Sequence, residues 1–368
     1  MPSAIILGGG IAGSAAGLAL VQAGWQVRIF ERAVRLEAVG GALSIWPNAI
    51  AALERLMVID AVRRRGMPFT SLLVADREGR PIIPARRVDG EALMVTRSDL
   101  LDAIVGALPA DTFVLDREVD QIEEHADSAL LRFSDGGTAQ ADLLIDGGGL
   151  RSVGAGPDAV SYRGYGGVVA LSDPVVDGGR GGLAAEYWGW GERFGLFELT
   201  GDRRYWFFMR DQPVDADPPK HDEITTRASR FPAAIGRAVR ATPAERLIPF
   251  SIHARAAPRT FGRGRVVRVG DAAHAMEPNL GQGACQALED AVALGAAACT
   301  HEVDDIASAL ERLRLKRVRH IVRRAAEGRH GAHGLLAKQW AVRSLLRAVP
   351  STVTEHMVRT IETMPSYR

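Results

Sequence analysis

Three glycines near the start of the chain have the spacing of a site for nucleotide phosphates. Gly8, Gly10 and Gly13 lie between a short apolar run at 4–7 and a run of small, helix-compatible residues at 11–23. In such a unit the first glycine permits a tight turn, the second lets a pyrophosphate approach the backbone, and the third lets the helix pack on the strand. The helix N-terminus then offers free N–H groups and a positive dipole to the phosphates.

An acidic residue follows the next predicted strand. Glu31 comes after the run 25–30 and lies 23 positions beyond Gly8, close to the ~20 positions at which an acid that binds a ribose diol is expected. The strand, glycine turn, helix, second strand and acid together predict a dinucleotide-binding βαβ unit. The pattern does not choose between FAD and NAD, so an ordinary dehydrogenase remains open at this point.

A second segment with chemical potential lies at 266–291. Residues 266–269 read as a strand, and Asp271 at its end could accept hydrogen bonds from a sugar or ribityl hydroxyl. Gly281 and Gly283 leave the backbone bare where a second helix begins. The unpaired N–H groups and positive dipole of that helix can therefore face an anion or an electron-rich ring.

This second segment carries a family resemblance. Residues 271–290 resemble the GD motif of the class A flavoprotein monooxygenases, the para-hydroxybenzoate hydroxylase-like family, and 274–285 are similar to its urate-hydroxylase and zeaxanthin-epoxidase branches. Residues 40–49 resemble the segment over the flavin, and 97–101 resemble the arginine-bearing helix that contacts FAD. The resemblance covers roughly 4–324 and is thinner between 154 and 255.

The resemblance implies non-covalent FAD as cofactor, with NAD(P)H and O2 as co-substrates. Glu31 and Arg97 would help to hold the ADP part, Asp271 the ribityl chain, and 281–283 would face the pyrimidine side, where reduced flavin is anionic. No catalytic side chain is assigned, because the flavin carries the chemistry, and no metal is expected. The implied cofactor-binding residues are Gly8, Gly10, Gly13, Glu31, Arg32, Gly41, Arg97, Val119, Asp271, Pro278, Gly281, Gln282 and Gly283.

One element departs from the family pattern. Members normally carry an Asp-Gly pair between the two sites, in an element associated with both FAD and NAD(P)H. Aligning on 142–145 places Gly148 at the position of that aspartate, with Asp146 two residues early, and 154–157 replace the usual basic continuation. Either Asp146 or Arg151 compensates, or the segment is a looser turn, or use of the pyridine nucleotide is impaired and the flavin has a changed role.

Two further side chains have alternative readings. His274 could be a base or a metal ligand, but no companion lies at ligand spacing, which favours a structural histidine beside the cofactor loop. Cys285 follows a helix N-terminus, which can lower the pKa of a thiol. A packed cysteine is nevertheless favoured over a nucleophile.

The region between the two sites is rich in aromatic residues with a strand pattern. Alternation sends Trp206 and Phe208 to one face of a sheet, with Tyr205 and Phe207 on the other. One set is expected to pack a core and the other to roof an apolar pocket for an aromatic or polycyclic substrate. The candidate substrate residues are Phe197, Trp206 and Phe208, although plain sheet packing remains open for each ring.

The composition is that of an ordinary globular protein. Hydrophobic residues make up 47% of the 368 and charged residues 24%, which excludes a disordered chain. Lysine and arginine number 45 against 44 acidic residues, so no net field draws the protein to nucleic acid or to a membrane. The two cysteines predict a reducing, cytoplasmic setting. The uncharged run 4–25 is interrupted by glycines at 8–10, which argues against a membrane helix.

These observations predict a doubly wound α/β FAD-binding domain with an inserted, mostly antiparallel sheet domain and C-terminal helices. The predicted FAD-binding domain comprises 1–71, 97–155 and 256–300, and the substrate domain 72–96 and 156–255. The C-terminal segment 301–368 begins with an arginine-rich helix, 307–326, which is expected to present a solvated face and not to bind nucleic acid. A monomer and a homodimer both remain open.

The predicted function is FAD-dependent monooxygenation of an aromatic or polycyclic small molecule, which is hydroxylated or epoxidised. The resemblance implies NAD(P)H as reductant and oxygen transfer from a hydroperoxide at flavin C4a. The alternative is a non-redox flavoprotein cyclase or isomerase on the same fold, and the departure at 146–156 motivates it.

Overall fold

A six-stranded sheet forms the base of the first part of the fold. The computed structural model describes residues 1–36, 40–155, 160–176 and 181–367. The strand order is β18-β19-β12-β1-β2-β8, and all neighbours are parallel except the edge strand β18. Its strands are β1 Ser3–Leu7, β2 Gln26–Phe30, β8 Phe113–Val114, β12 Leu143–Asp146, β18 Gly262–Arg263 and β19 Val266–Arg268. This parallel order confirms the predicted doubly wound domain.

Two helices rich in small residues lie side by side on this sheet: α1, Ile11–Gln22, and α8, Gly283–Thr300. A Cβ added at Gly295 would lie 3.2 Å from the Ala19 Cβ, so small side chains let the helices approach closely. The buried apolar residues of both helices join the largest core cluster, which includes Ile6 and Ile145 of the sheet. The two sequence segments singled out by their glycines are thus brought together on one sheet.

A seven-stranded sheet forms the second part of the fold. Its order is β17-β13-β16-β15-β14-β5-β6, antiparallel except between β14 and β5. Its strands are β5 Ser71–Asp76, β6 Pro81–Arg87, β13 Val160–Leu171, β14 Leu183–Trp188, β15 Glu192–Glu198, β16 Arg204–Asp211 and β17 Ile248–Arg255. Helices α5 His221–Ala228 and α6 Ala233–Arg240 cover one face. The predicted inserted sheet is confirmed.

Smaller elements connect these parts. One short sheet pairs β3 Ala42–Ile45 and β4 Met67–Pro68 with β7 Leu93–Thr96, and another contains β9 Val119–Glu124, β10 Ala129–Phe133 and β11 Thr138–Ala141. The remaining helices before α8 are α2 Pro47–Arg55, α3 Ile59–Arg63, α4 Arg97–Val105 and α7 Asp271–His274. Because β7 pairs with β3, residues 93–96, which were predicted for the substrate domain, lie beside residues 42–45 of the predicted FAD-binding domain. The domain boundaries stay a prediction.

The final part of the chain is helical, as the sequence predicts. It comprises α9 Val303–Gly328, α10 Leu336–Ala348 and α11 Ser351–Glu362. The expectation that α9 only presents a solvated arginine face needs correction, because Arg314 is fully buried. Among the helices in the described ranges, none combines the length and apolar composition needed to cross a bilayer.

Candidate active site

The first glycine turn is shaped to receive a ligand. A Cβ at Gly13 would lie 2.0 Å from the Gly8 carbonyl oxygen, so only glycine lets α1 pack this closely on the turn. At Gly10 an added Cβ would meet nothing within 4 Å, which leaves the backbone open on the side predicted to face a pyrophosphate. Glu31 accepts hydrogen bonds from the N–H of Gly9 (2.8 Å) and of Ala33 (3.0 Å). The acid therefore lies at the mouth of the turn.

Gly41 and Arg97, which the resemblance assigns to the flavin segment and to the ADP part of FAD, also lie close together. The Arg97 N–H donates to the Gly41 carbonyl at 3.1 Å, and the Arg97 Cδ would lie 3.3 Å from a Cβ placed on Gly40. The ring of Tyr205, from β16, packs against Gly41, where a Cβ would lie 2.4 Å from Tyr205 Cε2. The contact joins the predicted FAD segment to the large sheet.

The other end of the predicted dinucleotide site is a cavity at the carboxyl ends of β2 and β8. Its volume is about 460 Å³, and Arg32 and Glu118 are among its lining residues. Val119 follows Glu118 and begins β9 as a buried residue. Two of the implied cofactor-binding residues, Arg32 and Val119, thus lie at or beside one cavity.

The second glycine segment lies next to 44–46. A Cβ on Gly281, which has φ +62°, would lie 2.5 Å from Ser44 Oγ, whereas a Cβ on Gly283 would meet nothing within 4 Å. Asp271, at the start of α7, and Pro278, between α7 and α8, are both exposed. The start of α8 is therefore open, and the first N–H groups of the helix have no partner within it. This arrangement fits the pyrimidine edge of a flavin.

The Gln282 side chain does not take part in that open surface. It is 1% exposed, and its Oε1 accepts hydrogen bonds from Asn48 Nδ2 and Gln286 Nε2, each at 3.0 Å. The predicted contact of Gln282 with the flavin is thus left to its backbone. The side chain anchors the loop from behind.

Behind the start of α8 lies a charged cluster that the sequence analysis missed. Glu289, Asp290 and Arg314 are all fully buried. Burial alone would raise the pKa of Glu289, but the positive charges of Arg314 and Arg317 outweigh it and the pKa is lowered. Burial likewise opposes ionisation of Asp290, but His274 and Arg314 lower its pKa. The sequence carries one signal of this cluster. Arg314 lies four residues after Leu310 and four before Val318, which places it on the apolar face of α9.

His274 and Cys285 have structural surroundings. His274 is fully buried; its Nε2 lies 2.5 Å from Asp290 Oδ2, which also accepts the Gly270 N–H at 3.0 Å. The histidine thus ties the loop after β19 to α8. Burial raises the pKa of the Cys285 thiol to about 12, so it stays protonated at neutral pH. In the described ranges no group of three His, Cys, Asp or Glu could hold a metal ion.

The departure from the family pattern has a spatial explanation. Asp146 Oδ1 accepts hydrogen bonds from the Gly148 N–H (3.0 Å) and from the Ser152 hydroxyl. A Cβ on Gly148 would lie 3.2 Å from Asp146 Oδ1 and 2.7 Å from Ser152 Oγ. A carboxylate is therefore present beside Gly148, supplied from two residues earlier, while Arg151 is exposed. Residues 156 and 157 of this segment lie outside the described residues.

This geometry predicts the behaviour of variants at Gly148. Gly148→Asp should lower stability, because it places a second carboxylate next to the buried Asp146 and crowds Ser152. The double variant Asp146→Gly/Gly148→Asp should regain stability and show an unchanged rate of flavin reduction by NAD(P)H in anaerobic stopped flow. Faster reduction by the double variant would show instead that Gly148 weakens the nucleotide step.

The aromatic residues of β16 occupy opposite faces, as alternation predicts. Trp206 and Phe208 are fully buried under α5 and α6, and the Trp206 Nε1–H donates to Thr242 Oγ1 at 2.8 Å. These two candidate substrate residues have no exposed surface with which to contact a ligand beside Gly41. Tyr205 and Phe207 lie on the other face, which packs into the core shared with the parallel sheet. Phe197, the third candidate, is on that same face, with its ring centroid 5.8 Å from that of Tyr205.

A buried arginine lies on this same face. Arg193 is 1% exposed, lies over the Phe207 ring at 5.5 Å, and donates from Nη2 to Asn279 Oδ1 at 2.6 Å. Its Nη1 donates to Glu186 Oε2 at 3.3 Å, whereas its Nε has no hydrogen-bond partner in the described part of the chain. Asn279 adjoins Pro278, so the arginine reaches the loop that precedes α8.

Known proteins are similar to this chain in sequence and in fold. A family model described as an FAD binding domain matches residues 191–325. The aurachin C monooxygenase/isomerase of Stigmatella aurantiaca is 35% identical over 85% of this chain and 84% of that protein. The chain belongs to the FAD-dependent monooxygenases. The FAD-dependent urate hydroxylase of Klebsiella pneumoniae, a relative of this monooxygenase, is 31% identical over 92% of this chain and 93% of its own.

A solved structure extends the agreement to the whole chain. The crystal structure of Klebsiella pneumoniae HpxO complexed with FAD and uric acid has a TM-score of 0.87 to this monooxygenase at 27% identity, covering 99% of this chain and 97% of that one. The predicted fold, the enzyme class and FAD as cofactor are confirmed. When bound, FAD supplies the redox and oxygen chemistry, and the protein supplies binding, orientation and electrostatics.

Proposed function

We propose that this monooxygenase uses NAD(P)H and O2 to hydroxylate an electron-rich aromatic or polycyclic compound that carries an oxygen acceptor next to the reacting carbon. One oxygen atom of O2 enters the product, the other leaves as water, and NAD(P)H provides the two electrons. The substrate would lie between the aromatic face of β15 and β16 and the loop 278–283. The cofactor-contacting residues proposed above would place the flavin at the same loop.

The observation that carries the substrate class is the unpaired Nε of Arg193. A buried N–H without an acceptor costs roughly 1–3 kcal/mol, so such a group is expected to find a partner in the ligand. An acceptor oxygen on the substrate, for example that of a phenolate or enolate, would satisfy this N–H; the charge of the guanidinium is already paired with Glu186. A phenolate or enolate is also more electron-rich than its protonated form, which suits transfer of an electrophilic oxygen. Tyr205, Phe207 and Phe197 would provide apolar contacts to the ring and exclude water.

The proposed reaction is tested with the FAD-loaded enzyme and a panel of phenols and hydroxylated N-heterocycles. Oxidation of NADH or NADPH should rise when a substrate is present, and product formed under isotopically labelled O2 should carry one labelled oxygen atom. No reduction of the bound flavin by either nucleotide, with every compound of the panel present, would contradict the proposal.

The role of Arg193 gives a separate prediction. Arg193→Gln should lower kcat/KM for the substrate by roughly 10- to 100-fold, because a hydrogen bond to a charged group is lost. The affinity for FAD should stay the same. Arg210→Gln serves as the control, since Arg210 lies on the next strand, faces the opposite side and pairs with Glu223. Equal losses of kcat/KM in both variants would show that Arg193 only supports the sheet.

A non-redox cyclase or isomerase is the second candidate. The altered segment 146–156 motivates it, and a relative's name combines monooxygenase with isomerase. Product formation without O2 and without reductant would favour this candidate.

We also propose a cytoplasmic location; a monomer and a homodimer both remain open.

A further inference from the structure

Tyr367 inserts its side chain into the charged cluster behind α8. It is 6% exposed, and its hydroxyl accepts a hydrogen bond from Arg314 Nη1 at 2.5 Å while donating one to Glu289 Oε2 at 2.8 Å. The preceding backbone is bound to the same cluster, because Arg317 donates to the carbonyl oxygens of Thr360 (2.8 Å) and Ile361 (2.7 Å). Residues 360–367 are thus anchored where α8 carries its two carboxylates.

The cluster continues from Glu289 to the open start of α8. The other Glu289 oxygen, Oε1, accepts hydrogen bonds from Asn48 Nδ2 at 2.7 Å and from Gln286 Nε2 at 3.0 Å. These same two amide groups donate to Gln282 Oε1. Gln282 immediately precedes Gly283, the first residue of α8. The Glu289 carboxylate is therefore connected, through two amide side chains, to the residue next to the backbone N–H groups predicted to face the flavin.

We propose that Tyr367 is a positioning residue for the flavin site. Its hydroxyl orients the Glu289 carboxylate, and through Asn48 and Gln286 this carboxylate aims the N-terminus of α8 at the pyrimidine ring of FAD. A helix N-terminus stabilises negative charge only within about its first turn, so a small displacement weakens the effect. The inference rests on the proposed contact of 281–283 with FAD and not on the proposed substrate.

The test is Tyr367→Phe, which removes only the hydroxyl and keeps the ring packed. The midpoint potential of bound FAD is measured by equilibration with a reference dye. At a fixed dye potential the ratio of reduced to oxidised FAD should fall roughly two- to fivefold, because the reduced ring is anionic and loses part of the stabilisation by the helix N-terminus. The affinity for oxidised FAD should change much less. A folded variant with the potential of the wild type would overturn the proposal.

Two further variants separate positioning from general docking of this segment. Glu362→Gln weakens the Arg86–Glu362 ion pair (2.6 Å), which holds the same segment without contacting Glu289, so the potential should stay unchanged. Gln286→Met interrupts the connection from Glu289 to Gln282 and should shift the potential in the same direction as Tyr367→Phe. An equal shift in Glu362→Gln, or none in Gln286→Met, would overturn the proposal. The measurement needs neither substrate nor O2, so its failure would leave the proposed hydroxylation intact.

Discussion

Replacing Gly10 by valine is expected to lower the affinity of the apoprotein for FAD by roughly 100-fold, since a side chain there would occupy the space needed by the pyrophosphate. Folding should be unaffected, because an added Cβ meets nothing within 4 Å and the backbone at this position, with φ −72° and ψ −177°, suits any residue. Quenching of FAD fluorescence measures the affinity, and thermal unfolding of the apoprotein measures the stability.

Gly106→Ala is the control for the Gly10 variant. Gly106 caps the far end of α4, nine residues after Arg97, and has an ordinary φ of −64°. This substitution should leave FAD affinity unchanged. If Gly10→Val bound FAD as tightly as the wild type, the first glycine turn would not hold the pyrophosphate.

The second large effect is expected at Arg314. Arg314→Met should lower the free energy of unfolding by roughly 3–5 kcal/mol, because Glu289 and Asp290 would remain buried with one cation fewer. Arg319→Met on the same helix is the control: Arg319 is half-buried and has no ion pair among the described residues, so its replacement should cost about 0.5 kcal/mol or less. Urea unfolding of both variants measures the difference. An equal loss in the free energy of unfolding in both variants would mean that the buried ion pairs of Arg314 with Glu289 and Asp290 do not stabilise the fold.

The same cluster predicts a pH dependence. The pKa values of Glu289 and Asp290 are lower in the folded protein than in the unfolded chain, where they are ~4. The two ionised carboxylates therefore contribute to the free energy of unfolding above the unfolded pKa values. This contribution is lost as the pH falls through the folded pKa values. In Arg314→Met the loss of stability should be largest at neutral pH. It should shrink on acidification, because protonation removes the charge that has lost its partner.

The strand, glycine turn and helix at each of the two segments could be read from the sequence, because there the local pattern and the site coincide. Gly13 packs on Gly8 as the spacing requires, and Glu31 lies at the end of the next strand. The family resemblance placed both 40–49 and 281–283 at the flavin, but the contact between Gly281 and Ser44 was not predicted, since no local pattern encodes a contact between residues so far apart in the chain.

The sequence could not show which aromatic face is open. Trp206 is fully buried under α5 and α6, whereas Tyr205 on the other face is only half-buried and packs against Gly41, yet the two residues carry the same local signal. Nor could it place Arg314, because charge suggests exposure while its helical position suggests burial. Only the buried partners Glu289 and Asp290 resolve that conflict.

A crystal structure of this monooxygenase with FAD tests the arrangement most directly. We expect the pyrophosphate against the backbone at Gly10, and the pyrimidine ring within hydrogen-bond distance of the N–H groups at 281–283. A flavin seated elsewhere, with the start of α8 in contact only with solvent, would contradict the account.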